Sequence, residues 1–172
     1  MRRDLIIAEI PRLRRFARAL ARERDLADDL VQECLERALN RLSQWRGEDK
    51  TPRAWLLRIL YSRFIDHQRR MKRTPVPIEP EAVAALGGGD LPDAPARLDL
   101  DDALRAMQAL PEERRVVLAL VAIEGLSYAE AANVLELPVG TVMSRLARGR
   151  EQLRAILEQA PRRDANLRVI RP

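Results

Sequence analysis

The chain has 172 residues, of which 47% are hydrophobic and 33% charged, and a formal net charge of +5. That is enough for one domain or two small ones, while no apolar run approaches the ~20 residues that cross a bilayer. Met1 to Ile10 has no long apolar region of the signal-peptide kind, so a cytoplasmic protein without membrane insertion is expected.

Charge is unevenly spread. Met1 to Arg73 holds nineteen Lys and Arg against eleven Asp and Glu, a net of +8. Thr74 to Asp99 has a net of −4, and Leu100 to Pro172 a net of +1. Two lobes rich in arginine flanking an acidic connector are suited to polyanionic partners.

The first helical pattern places Leu5, Ile6, Ile10, Leu13, Phe16, Ala17 and Leu20 on one face, with Arg12, Arg14, Arg15, Arg18 and Arg22 mostly elsewhere. A second helix is expected with Asp25 as cap. Its apolar face is Leu30, Val31, Cys34, Leu35, Ala38, Leu39 and Leu42, leaving Asp28, Asp29, Gln32, Glu33, Glu36 and Asn40 outside. Cys34, the single cysteine, is expected to pack rather than react. With one histidine, His67, and no cysteine cluster, no metal or cofactor is expected.

After a turn at Gly47, Thr51 precedes Pro52, a cap followed by proline at the first helical position. The third helix then has an expected core stripe of Trp55, Ile59 and, beyond a break near Ser62, Ile65. Arg53, Arg58, Arg63, Arg69, Arg70, Lys72 and Arg73 are interleaved with Trp55, Tyr61, Phe64 and His67. Rings beside cations suit unstacked bases, since the rings stack while arginines hold the backbone. Packing of Trp55 and Phe64 in a core is an equally physical alternative.

Residues 74–99 hold Pro75, Pro77, Pro80, Pro92 and Pro95 with Gly87, Gly88 and Gly89, which predicts a flexible interdomain linker, with a short helix near Glu81 to Leu86 allowed. The fold class expected is all-α. It has a domain at 1–73, the linker at 74–99, a domain at 100–160 and a basic tail at 161–172.

From Leu126 to Arg150 the pattern is a helix, a tight break and a second helix. Ser127 and Glu130 have capping-box spacing, Ala129, Ala132 and Val134 are small enough for a close crossing, and Pro138 to Gly140 stop the first helix. The second helix, beginning near Val139 or Gly140, has Val142, Leu146, Gly149 and Leu153 as its buried stripe. Thr141, Ser144, Arg145 and Arg148 fall on the complementary face, and arginine forks well onto phosphate or onto guanine in the major groove.

DLADDLVQECLERAL, TPRAWLLRILYSRFIDHQRR and LPEERRVVLALVAIEGLSYAEAANVLELPVGTVMSRLARGREQLR, in this order and separation, resemble an extracytoplasmic-function sigma factor of bacterial RNA polymerase. The resemblance implies a region 2 domain that binds polymerase and opens the minus-10 element, and a region 4 domain that reads the minus-35 element. It places Asp29, Gln32, Glu33 and Glu36 on the clamp helices of the largest polymerase subunit, with the flap as a further contact. It assigns Arg58, Tyr61, Ser62, Arg63, Phe64, Arg69 and Arg70 to minus-10 DNA, Ser62 standing where Asn is frequent. Thr141, Met143, Ser144, Arg145, Ala147 and Arg148 fall to minus-35 DNA. Met143 stands where Lys or Arg is common, and Glu136 occupies a turn where Gly is frequent. An anti-sigma partner is implied, and no catalysis. The other reading of the helix-turn-helix is a regulator that binds DNA without polymerase. An enzyme would need a metal cluster or a nucleophile and base, for which no residue set is present.

Overall fold

The computed structural model describes residues 2–45, 52–73 and 105–159, and among these the regular structure is helical with no strand. Its elements are α1 (Arg2–Leu20), α2 (Arg24–Asn40), a 3-10 turn (Leu42–Gln44), α3 (Arg53–Arg73), α4 (Glu112–Leu118), a π-helical segment (Ala119–Ile123), α5 (Tyr128–Leu135) and α6 (Val139–Gln159). The expected Thr51 cap, the Gly47 turn, the linker at 74–99 with its short helix, and the tail at 161–172 lie outside the described residues.

α1, α2 and α3 share a core. Ile6, Leu13, Phe16, Ala17 and Leu20 come from α1, while Ala27, Leu30, Val31, Cys34 and Ala38 come from α2. Leu5 and Leu39, expected on these faces, instead lie on the exposed side. Asp25 does not cap α2; it sits within the first turn, where its carboxylate suits the helix dipole, and Glu23 holds the cap position. The Cys34 thiol is buried, lies 3.4 Å from the Leu56 carbonyl oxygen and is pushed up to about 12, so packing is its role.

In α3 the period was right and the phase wrong. Its buried residues are Leu56, Leu57, Leu60 and Phe64, whereas Trp55, Ile59 and Ile65 are half-buried along the margins. The helix also runs through Ser62 without a break. It starts as Leu56 N–H donates to the Pro52 carbonyl at 2.9 Å, and Trp55 stacks on Trp45 at 6.5 Å between ring centroids.

The second half is organised by how each helix stops. Glu112 and Glu113 occupy the first turn of α4, where carboxylates oppose the positive end of the dipole. The helix widens into the π segment, closed by Glu124 N–H donating to the Ala119 carbonyl at 3.0 Å, and Gly125 at φ +70 turns the chain away. In α6, Val142, Leu146 and Gly149 are buried and Leu153 is half-buried, as the spacing predicts. Gly149 permits a close approach: a Cβ there would stand 2.9 Å from the Leu118 Cδ1, so the leucine would have to shift to admit one. Ala129, expected at the helix crossing, faces out; Ala131 and Ala132 are the small buried residues of α5.

The two halves are packed together, and their buried residues form one cluster. α5 lies along α3, while α4 and the π segment lie against α1. Gln108 Nε2 sits 2.9, 3.3 and 3.1 Å from the carbonyls of Arg18, Ala19 and Ala21, covering acceptors that the end of α1 leaves unpaired. Glu9, almost fully buried, faces Arg53 at 3.3 Å and Arg12 at 3.6 Å, tying α1 to α3.

Glu124 is 1% exposed, and Arg15 Nε lies 3.7 Å from its carboxylate, an ion pair longer than a hydrogen bond. Burial raises its pKa, against partial relief from Arg15, Arg12 and Arg53. A carboxyl whose pKa rises on folding favours the folded state below its ordinary value, 4.5, and loses that contribution as pH climbs through the folded value. Glu124→Gln stays neutral throughout. Thermal melts should therefore show the variant more stable than the parent near neutral pH, with the two converging below about pH 4; a variant that melts lower at neutral pH would mean the Arg15 pair outweighs the cost of burial.

Candidate nucleic-acid interface

The helix-turn-helix is set by two local devices. Ser127 Oγ accepts from Glu130 N–H at 3.2 Å while Ser127 N–H donates to Glu130 Oε2 at 2.7 Å, completing the capping box. The Ser127 hydroxyl, 2.7 Å from Glu130 Oε2, and then the Ser127 N–H hold the Glu130 carboxyl below its ordinary value. At the other end of α5, Glu136 takes φ 54 and ψ 43, a left-handed conformation. Leu137 N–H then reaches the Ala132 carbonyl at 3.0 Å, the Schellman closure. A side chain at this position costs about 1 kcal/mol relative to glycine.

This turn aims α6. Thr141 N–H donates to the Pro138 carbonyl at 2.9 Å at the start of the helix. With Val142, Leu146 and Gly149 facing inward, Met143, Ser144, Ala147 and Arg148 are exposed together on one strip, Met143 at 50%. Thr141 is half-buried beside it and accepts from the Ser144 hydroxyl at 3.0 Å through its carbonyl. Arg145 belongs to the flank: its Nη2 lies 3.0 Å from Glu113 Oε2 on α4.

Asp29, Gln32, Glu33 and Glu36 are all exposed on α2, and Gln32 Nε2 donates to Glu36 Oε1 at 3.1 Å. The α3 residues divide differently from the expectation. Phe64 is 0% exposed and belongs to the core, so its assignment to a base contact is corrected; its position lies on the inward stripe with Leu57 and Leu60. Arg63 is paired with Asp66 at 2.6 Å and largely covered. Arg69 and Arg70 are exposed, Arg70 Nε reaching the Asp66 carbonyl at 3.4 Å. Ser62 is exposed beside them.

Arg58 and Tyr61 face the other half of the molecule. With Ser62, Ile65, Asp66 and Arg69 they line a crevice of about 440 Å³, closed on its far side by Val134, Leu135 and Glu136 of α5. Arg58 Nη2 forms an ion pair with Glu136 Oε1. Both side chains are more than half exposed, so the pair by itself contributes about 0.2–1 kcal/mol. Tyr61 is half-buried, and its phenol is raised by that burial and by Glu112, against Arg145.

Sequence reasoning missed the part played by Glu124, Gln108 and Glu136 in joining the halves. A glutamate ending the apolar run Val116 to Ile123 is a faint signal for the first; the partners of the other two are distant in sequence. Among the described residues no group of three or more His, Cys, Asp or Glu side chains is placed to hold a metal, and no described helix is long and apolar enough to cross a membrane.

Residues 6–61 match the family model described as the sigma2 domain of PhyR, and residues 100–153 match that of sigma-70 region 4. The ECF RNA polymerase sigma factor EcfG of Rhodopseudomonas palustris is 37% identical over 155 residues, 90% of this chain and 84% of that protein. The ECF RNA polymerase sigma-E factor of Escherichia coli is 34% identical over 135 residues, 73% of this chain and 70% of that one. In structure, the sigma factor RpoE of Bartonella quintana, solved with the anti-sigma factor NepR, aligns with a TM-score of 0.73 at 29% identity, covering 92% of this chain and 97% of that chain.

The core position of Phe64 has a measurable consequence. Phe64→Ala should cost about 3–5 kcal/mol of stability. Denaturant unfolding that shows less than about 1 kcal/mol would return Phe64 to the surface.

Proposed function

Since the chain belongs to the extracytoplasmic-function sigma factors of bacterial RNA polymerase, we propose that it directs core polymerase to specific promoters by a two-point grip on DNA. Residues 1–73 form the region 2 domain, 74–99 the linker, 100–160 the region 4 domain and 161–172 a basic tail. The observation that carries the reading is that one chain presents exposed cations toward the end of α3, Arg69 and Arg70, and a separate exposed strip on α6, Met143, Ser144, Ala147 and Arg148.

On α2, Asp29, Gln32, Glu33 and Glu36 meet the clamp helices of the largest subunit, where carboxylates pair with cations. On α6, Met143, Ser144, Ala147 and Arg148 enter the major groove at the minus-35 element, with Thr141 and Arg145 at its edge. Met143 cannot neutralise phosphate and suits the methyl group of thymine, whereas Arg148 can fork onto guanine. On α3, Tyr61 and Ser62 meet unstacked minus-10 bases while Arg58, Arg69 and Arg70 hold phosphates, trading base stacking for ring stacking and ionic contact. Region 4 also meets the polymerase flap. Polymerase supplies the chemistry, and this chain supplies binding and strand separation.

The similar Bartonella quintana protein is described in complex with an anti-sigma factor, which supports control of this chain by a partner of that kind. The test is run-off transcription with core polymerase and a promoter library, with and without the chain. New start sites should appear only in its presence; duplex binding with no change in start sites would favour a regulator that acts without polymerase. In the same assay, Arg148→Ala should lose about 1–3 kcal/mol of promoter discrimination if the guanidinium reads a guanine. A uniform loss across all promoters would assign Arg148 to phosphate instead.

A further inference from the structure

We propose that the free protein masks its own minus-10 face, with Glu136 as the latch that holds region 4 over region 2. This rests on reading α3 as the surface that meets minus-10 DNA. Two cations of the DNA-binding faces are occupied by carboxylates of the same chain: Arg58 by Glu136 and Arg145 by Glu113. Glu136 reaches its cation across the junction, whereas Glu113 takes Arg145 within the second half itself. Tyr61, the ring available for stacking, is half-buried between the same elements, close enough to Glu112 and Arg145 to sense both charges. The Tyr61 side of the face that must take unstacked bases is therefore turned toward α5, while Ser62, Arg69 and Arg70 at its outer end are exposed.

Glu136 is chosen against local preference. Its backbone is left-handed, where glycine is relaxed and a side chain is strained, and the Schellman closure uses main-chain groups alone. The helix-turn-helix needs no carboxylate at this position. What the side chain reaches is Arg58, on the other half of the molecule and 78 residues away. A strained residue whose side-chain contact lies across a domain junction is explained by that junction.

The junction is also built to part. Arg58 and Glu136 are both largely exposed, which makes their pair weak and easily displaced by a polyanion. Glu124 is buried between the π segment and α1, and neither of its carboxylate oxygens has a hydrogen-bond donor within reach among the described residues. Opening would hydrate that charge. The closed form thus combines an apolar contact of α5 on α3 with a weak latch and a buried acid that Arg15 only partly relieves, a balance that nucleic acid or polymerase can tip.

The test places spin labels at Asp28→Cys on α2 and Ala155→Cys on α6, both exposed positions, with the buried Cys34 left unlabelled. Distances are measured by pulsed electron resonance in the full chain, for the parent, Glu136→Gly, Glu136→Gln and Glu136→Arg. The parent should give one narrow distribution, and the three variants should gain a longer component, greatest for Glu136→Arg, which repels Arg58. The double variant Arg58→Glu, Glu136→Arg should restore the narrow distribution, read by distance alone. In parallel, a fluorescein-labelled single strand carrying the minus-10 sequence of the strongest promoter in the run-off library is titrated into the parent, Glu136→Gly and Glu136→Gln. Affinity should rise by up to about fivefold, the ceiling set by a surface ion pair. Unchanged distances in all three single variants overturn the latch, and opening without tighter single-strand binding overturns the masking. Run-off transcription by the parent separates the two ideas: start sites directed by the chain uphold the sigma reading even where latch or masking fails. If latch variants open but no start site is directed, the sigma reading falls and the masking falls with it.

Discussion

Because α3 lies between α1 and α2 on one side and α5 on the other, its two flanks are committed to different neighbours, and much of the molecule follows from that position. Leu56, Leu57, Leu60 and Phe64 complete the first core, while Tyr61 and Ile65, rotated round the same helix, face α5. Successive residues on a helix are separated by roughly 100°, so neighbours in sequence serve opposite sides. This divides two aromatic residues of similar character: Phe64 is packing, and Tyr61 lines a crevice.

The same position decides which charges are available to a partner. Arg53 is drawn to Glu9, Arg58 to Glu136 and Arg63 to Asp66, while Arg69 and Arg70 are exposed toward the end of α3, Arg70 Nε reaching the Asp66 carbonyl. Buried groups at the junction carry the larger energetic consequence, because desolvation acts on them without the screening that weakens surface pairs. Among the described residues Arg115, Glu9 and Glu124 are the buried charged ones, and burial drives the Arg115 and Glu124 pKa values in opposite directions, each toward its neutral form. A surface count of arginines therefore overstates the cationic face.

What could be read in advance was local. The Ser127 and Glu130 capping box, the start of α6 near Val139 or Gly140 and its stripe of Val142, Leu146 and Gly149 depend on residues within a few positions of one another, where spacing and backbone preference suffice. Of the complementary face expected from that stripe, Ser144 and Arg148 are exposed, whereas Thr141 and Arg145 are half-buried at its edge. The phase of α3 was not legible, because a helix packed on two sides has apolar residues on both, and Trp55, Ile59 and Ile65 fit the same period as Leu56, Leu60 and Phe64 within one position. Asp25 departs from its expected cap position for a related reason: an acidic residue in a first turn and an acidic cap have the same signature in sequence.

By itself the sequence determined an all-helical chain, its helix-turn-helix and the family to which its motifs belong, since those rest on short-range periodicity and motif order. Only the tertiary structure decided that the two halves share one core, that Phe64 is packed within it, and that Arg58 and Arg145 are already paired with carboxylates. Those outcomes depend on contacts between residues far apart in the chain. Arg58 and Glu136 carry no mark in sequence of their meeting, and the burial of Glu124 is set by α1, which lies at the other end of the described chain.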